Sequence, residues 1–200
     1  MALTDLRKLS YPFTAEQISP LRAGQFVLLS GLIYTARDRI HKYLFEGGKS
    51  PVVLNDAALY HCGPVVIRKE NRWVVRAAGP TTSIREEPYL PRIIKEHGVR
   101  VVIGKGSMGK VTEQACVEGG CVYLHAVGGA AQVLADRVVA VKEVYFGSEF
   151  GPAEAMWVLE VKDFPAIVAI DSRGRSLLKT VQTNSRTMLR QLVADDPFIT

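Results

Sequence analysis

The sequence predicts a mixed α/β layer domain with a mixed sheet. Two observations carry this. Short apolar runs that read as strands alternate with helix-patterned segments from residue 73 to residue 138, the order expected when helices cover a sheet. Residues 25–33 (QFVLLSGLI) are apolar on both faces, as a strand in the middle of a sheet is. The 200 residues suffice for a core of useful size, and no repeat, linker or low-complexity segment divides them, so a single domain over residues 1–200 is expected.

Residues 1–24 carry Pro12, Pro20 and Gly24 with little periodicity and read as an extended lead-in to the 25–33 strand. Thr35, with Asp38 three residues on, has the form of a capped helix start. Ile40 and Leu44 supply the buried stripe of that helix, and Gly47-Gly48 stops it. Residues 59–69 and 72–78 read as strands joined at Glu70-Asn71. Pro88 and Pro91 confine the next clean helix to about 91–97, ended by Gly98. Then follow a strand at 99–103, a glycine-rich turn at 104–109, a helix at 112–118, a strand at 121–127 and a small-residue helix at 130–138. Residues 157–162 and 166–170 read as two strands, 171–174 as a turn, and 176–194 as a terminal helix.

Nearly half the residues are apolar and about a fifth are charged, the balance of a soluble globular chain. The net charge is +5, from basic residues that are scattered rather than interleaved with aromatics. That argues against nucleic acid and suits a small acidic substrate or an acidic partner subunit. Three cysteines, Cys62, Cys116 and Cys121, with no apolar leader core in residues 1–7, point to a reducing, cytoplasmic setting. The longest uncharged run, residues 119–135, holds His125, Gln132 and four glycines, so no membrane span is expected.

Residues 79–85 (GPTTSIR) follow a strand and precede a charged segment, gathering three hydroxyls and a guanidinium at one junction. Such a junction favours an anion, because backbone N–H groups and short polar side chains point at one spot. Ser83 and Glu86 also fit a capping box, so the turn reads either as a helix cap or as a carboxylate site. Residues 104–109 match GxGxxG and, with Lys110, approach a phosphate-binding loop. Val111 stands where that loop needs a hydroxyl for magnesium, and the following strand ends His125-Ala126-Val127, without the acid that holds a ribose. A nucleotide-binding domain built on Gly104 to Lys110 is the alternative of another class. Lys105 is in either case a cation on a glycine turn, suited to a carboxylate. Cys116 and Cys121 fall on different elements and Cys62 has only His61 beside it, so no metal or iron–sulfur ligand set is expected in the chain. His61 and His125 sit in apolar strand surroundings and read as structural, with phosphoryl carriage on either as a further alternative. His41 lies four residues after Arg37, on the same helix face, and reads equally as an exposed or a catalytic histidine.

Four motifs in order carry a resemblance: residues 30–41 (SGLIYTARDRIH), 61–64 (HCGP), 79–85 (GPTTSIR) and 104–109 (GKGSMG). Together they resemble the β subunit of the class I (iron–sulfur) fumarases and L(+)-tartrate dehydratases, over nearly the whole chain. The resemblance implies a swivelling β/β/α layered domain that closes on an α subunit, whose cysteines hold a [4Fe–4S] cluster. It therefore implies a hetero-oligomer, with a homodimer as the state open to the isolated chain. It implies a hydro-lyase that reversibly hydrates a dicarboxylate. Tyr34-Thr35-Ala36-Arg37-Asp38 looks like the fumarase side, making fumarate to malate the expected reaction and L(+)-tartrate dehydration its alternative. Carried over, Arg37, Arg85 and Lys105 bind the substrate carboxylate, Thr81 binds at the reacting carbon as the candidate base, and His41 is a further catalytic candidate. Ser107 stands where many relatives have Gly.

Overall fold

The computed structural model describes residues 6–194. Its elements are β1 (Arg7–Ser10), α1 (Ala15–Ile18), β2 (Phe26–Thr35), α2 (Asp38–Phe45), β3 (Ala58–Tyr60), β4 (Val65–Lys69), β5 (Arg72–Ala77) and a 3₁₀ turn (Ser83–Glu86). They continue as α3 (Leu90–His97), β6 (Val101–Gly104), α4 (Lys110–Gly119), β7 (Val122–His125), α5 (Ala131–Ala135), β8 (Val138–Tyr145), α6 (Gly147–Phe150), β9 (Met156–Ile170) and α7 (Leu177–Ala194). Both element types and a mixed sheet are present, as the alternation predicts.

Seven strands form one sheet in the order β1-β2-β3-β6-β7-β9-β8, with a further pairing of β9 to β2. β1, β2, β3, β6 and β7 are mutually parallel. β9 runs antiparallel to β2, β7 and β8. The pairings β2–β3–β6–β7–β9–β2 therefore close a ring. β1 and β3 pair along one edge of β2 and β9 along the other, and its two faces are apolar because Val27, Leu29 and Ile33 enter one buried cluster while Leu32 and Tyr34 pack into another.

Side chains alternate across the ring strands with the two-residue period of a strand. Ile33, Tyr60, Ile103, Leu124 and Leu159 enter one buried cluster. Tyr34, Leu59, Val102, Tyr123 and Val158 enter a second, shared with Ile40 and Leu44 of α2, Ile93 and Ile94 of α3 and Cys116 of α4. Helices α2 to α4 thus cover one face of the sheet. The other face meets Tyr60 and Phe164, whose rings pack edge to face at 5.3 Å.

Several expectations are corrected. The lead-in is not simply extended: it contributes β1 as an edge strand and the short α1, while its first five residues lie outside the described residues. The 59–69 run is two strands, β3 and β4, because the chain leaves the sheet at residues 61–64 and returns as a separate β4–β5 hairpin. The predicted strands 157–162 and 166–170 are one strand, β9. Asp163, with φ 50°, lies within its bend, and the register against β2 slips between Leu29 and Gly31. The helix predicted at 130–138 is only α5, and β8 follows it; its VVAVKEVY sequence keeps one face in solvent, so its apolar residues do not mark a buried strand. Thr35 does not cap α2. It ends β2, donates to Ala155 O at 3.0 Å and accepts from Trp157 N–H at 2.9 Å, which staples the start of β9 to the end of β2.

Phe164 is fully buried at the bend of the closing strand. Phe164→Ala is expected to cost about 3–5 kcal/mol, the range for deleting a core aromatic ring, read as a lowered urea midpoint with an unchanged slope.

Candidate functional site

The C-terminal ends of the parallel strands β2, β3 and β6 share one edge, where open α/β sheets bind ligands. β2 is followed there by Arg37, β3 by His61-Cys62-Gly63, and β6 by Lys105. The chain after β5 comes back to the same edge, where Thr82 bridges to Lys105 in parallel register. Arg37, Thr81, Arg85 and Lys105, expected to act together from separate motifs, all belong to segments meeting at this edge.

Arg37 and Arg85 are linked through Asp38. Arg85 Nε and Nη2 donate to Asp38 Oδ1 and Oδ2 at 3.0 and 3.1 Å, and Arg37 Nη2 lies 3.9 Å from Oδ2. Arg37 also reaches Glu154 at 3.2 Å and donates from Nη1 to Ala153 O at 3.3 Å. Burial works against the charge of Asp38, yet the hydrogen bonds and charge of Arg85 hold its carboxyl below its ordinary value. Gly63 makes room for Arg37: a Cβ there would stand 2.7 Å from Arg37 Nη1 and 2.5 Å from Ala153 O. The HCGP motif is thus partly a steric requirement of the arginine.

Thr81 and Lys105 are held differently. Thr81 donates both its N–H and its hydroxyl to His61 O, at 2.6 and 3.0 Å. Lys105 exchanges backbone contacts with Ser83: its N–H reaches Ser83 Oγ at 3.2 Å, and Ser83 N–H reaches its carbonyl at 3.1 Å. The Lys105 stem passes close to Gly128, where a Cβ would stand 3.3 Å from its Cδ. Among the described residues no carboxylate pairs with the Lys105 ammonium.

His41 lies beneath this edge rather than on it. It is fully buried, with Nδ1 3.1 Å from Arg37 O and 3.6 Å from Glu86 Oε2. Burial lowers its pKa to about 4. Glu86 is also fully buried, and that burial, with the Asp38 charge beside it, pushes its carboxyl up to about 8. The two therefore face each other uncharged at neutral pH. The His61 ring meets the His41 ring edge to face at 4.9 Å and is likewise held neutral by burial. A fully buried His61 is no phosphoryl carrier.

The capping box is not formed. Thr82 precedes the 3₁₀ turn without a side-chain cap bond; Ser83 Oγ faces His61 and Lys105, and Glu86 faces His41. The carboxylate that does cap a helix is Glu87, which accepts from the N–H groups of Gly109, Val111 and Thr112 at 2.6, 3.2 and 3.3 Å and from Thr112 Oγ1 at 3.0 Å. These are the α4 amides that a phosphate would need, so the GxGxxG loop here holds an internal anion. The contacts that Asp38, Glu154, Ser83 and Glu87 make were not legible in the sequence, because their partners lie far along the chain.

Cys62, Cys116 and Cys121 are free and buried. Burial pushes the Cys62 thiol up to about 12. Among the described residues no three His, Cys, Asp or Glu side chains converge on a metal position, and this donor set does not fit an iron–sulfur cluster.

A family model described as the fumarase C-terminus matches residues 4–181. The chain belongs to that family. A protein of Geobacillus stearothermophilus, provisionally named fumarate hydratase class I, is 53% identical over 184 residues, 92% of this chain and 35% of its own length. One of Methanocaldococcus jannaschii, provisionally named L(+)-tartrate dehydratase subunit beta, is 40% identical over 185 residues, 90% of this chain and 95% of its own. The L(+)-tartrate dehydratase subunit beta of Escherichia coli K12 is 37% identical over 172 residues, 85% of each chain. This fumarase C-terminus chain thus spans about a third of the first relative and nearly all of the second.

Because Glu86 binds its proton more tightly folded than at its ordinary value of 4.5, the stability it supports is complete below that value and is lost as pH rises through about 8. Glu86→Gln keeps the neutral form at every pH. Its melting temperature is expected to rise relative to the parent between about pH 5 and pH 9 and then level off, in thermal melts across that range.

Proposed function

We propose that the chain is the β-type part of an iron–sulfur hydro-lyase that adds water to, and removes it from, the double bond of a small dicarboxylate. The observation that carries this is the meeting of Arg37, Arg85, Lys105 and Thr81 at one strand edge, in a chain of the fumarase C-terminus family. Fumarate is the favoured substrate, supported by the 53% identity to the class I fumarate hydratase relative. L(+)-tartrate is the second reading, supported by relatives named as tartrate dehydratase β subunits that match this chain over 95% and 85% of their own lengths.

The two arginines take one substrate carboxylate. Asp38 uses Nε and Nη2 of Arg85, which orients the guanidinium and leaves its remaining N–H groups for the ligand. Lys105 supplies an ammonium as a point charge. Thr81 sits at the reacting carbon. Its own hydroxyl proton goes to a carbonyl, His61 O, which is no proton acceptor in the acid–base sense. Its activation as a base therefore falls to a group on the partner.

That partner is a cluster-bearing α-type subunit, in keeping with the β-subunit names of the relatives and with the share of the Geobacillus protein that this chain leaves uncovered. The [4Fe–4S] cluster, held by the partner, supplies Lewis-acid chemistry toward the substrate hydroxyl. His41 supports Arg37 from below. A cytoplasmic setting is supported by the three free cysteines, and a hetero-oligomer by the β-subunit names of the relatives.

Co-expression with the α-type subunit and assay with fumarate, malate and tartrate tests this reading: hydratase activity is expected from the complex and none from the isolated chain. Activity of the isolated chain, or none from a cluster-loaded complex with any of the three, overturns it. In the complex, Lys105→Ala is expected to lower turnover on the order of a hundredfold or more, the scale of losing one electrostatic stabiliser.

A further inference from the structure

We propose that His61 is a positioning residue that sets Thr81 and Lys105 in mutual register, one through its backbone and the other through its ring. The inference rests on the hydro-lyase reading for what the two residues do, but on geometry alone for how they are held.

His61 is anchored first. Its N–H donates to Ile103 O at 2.8 Å, extending the β3–β6 ladder one residue beyond β3. Its carbonyl accepts both donors of Thr81, so the Thr81 hydroxyl is fixed relative to the sheet rather than to its own loop. Its ring turns the other way. Nδ1 lies 2.8 Å from Ser83 Oγ, and the same Oγ accepts the Lys105 N–H. Ser83 N–H closes the contact on the Lys105 carbonyl. Lys105 leaves β6 at this point, so the direction of its side chain follows from where Ser83 holds its peptide.

The arrangement has a steric signature. A Cβ on Gly104 would overlap Ser83 Oγ and stand 3.0 Å from His61 Nδ1. The hydroxyl lies where a residue-104 side chain would otherwise be. The glycine that opens the GxGxxG match is therefore needed for this internal contact rather than for a phosphate. His61 and Ser83 are both fully buried, so neither touches substrate, and each acts only through Thr81 and Lys105.

Substitutions of His61 by Asn and by Leu separate positioning from packing. In His61→Asn the side-chain amide reaches the place of imidazole Nδ1 and keeps the bond to Ser83 while leaving a gap. In His61→Leu the side chain fills the space and loses the bond. In the complex with the α-type subunit, His61→Leu and Ser83→Ala are each expected to lower kcat/KM on the order of a hundredfold, the effect of displacing a reacting group by about 1 Å. The double variant is expected to lose no more than either alone. His61→Asn is expected to stay within about fivefold of the parent, although its melting temperature falls below that of the Leu variant. Activity and stability then rank in opposite orders. Amide hydrogen exchange gives a readout independent of turnover: Lys105 N–H is expected to exchange at least about tenfold faster in His61→Leu and at the parent rate in His61→Asn. Unchanged Lys105 exchange in His61→Leu, or activity losses that follow melting temperature across the variants, overturns the proposal. If the unaltered complex neither hydrates fumarate nor dehydrates tartrate, the functional reading fails, and the exchange result still decides the positioning.

Discussion

The pairing of β9 to β2 is the constraint on which the rest of the molecule depends. β9 runs along β2 while its other side meets β8 in its first half and β7 in its second. That double engagement turns a row of parallel strands into a ring. It gives β2 neighbours on both sides and brings the Ala153–Ala155 segment, which leads into β9, against Thr35 and Arg37 at the end of β2. The Arg37 contact with Glu154 is a local result of this global closure.

On that frame the site separates into two kinds of support. The arginine half is electrostatic: Asp38 lies between Arg37 and Arg85, and Glu154 holds Arg37 from the other side. These contacts are partly exposed, so their net energies are small and their role is orientation. The threonine–lysine half is steric and buried, built from His61, Ser83 and the missing side chain of Gly104. Beneath both, His41 and Glu86 are uncharged at neutral pH and take the place that a costly buried ion pair would occupy.

Much of the frame was legible in the sequence because burial is written locally. Residues 25–33 are apolar on both faces and became the central strand β2; Ile40 and Leu44 mark the α2 stripe and do enter the core. β8 was not legible because one of its faces is wet. The division of 59–69 was carried only by Gly63-Pro64, a turn signal, and the apolar residues on either side of it read as one run. The site was legible as a set of motifs but not as a set of contacts. Arg85 meets an aspartate 47 positions away, and Ser83 meets a histidine 22 positions away, distances over which no local pattern carries information. The Ser83 and Glu86 pair shows the reverse error: the spacing of a capping box was present, but Ser83 bonds to His61 and Lys105 and Glu86 is buried beside His41.

The cap supplied by Glu87 bears on the electrostatic potential of the whole edge. The amino end of α4 would otherwise present a fixed positive pole toward incoming anions. An internal carboxylate already neutralises it. The positive field at this edge therefore comes from the guanidinium and ammonium groups themselves rather than from peptide dipoles, so its direction follows the Asp38 and Glu154 contacts that aim Arg37 and Arg85.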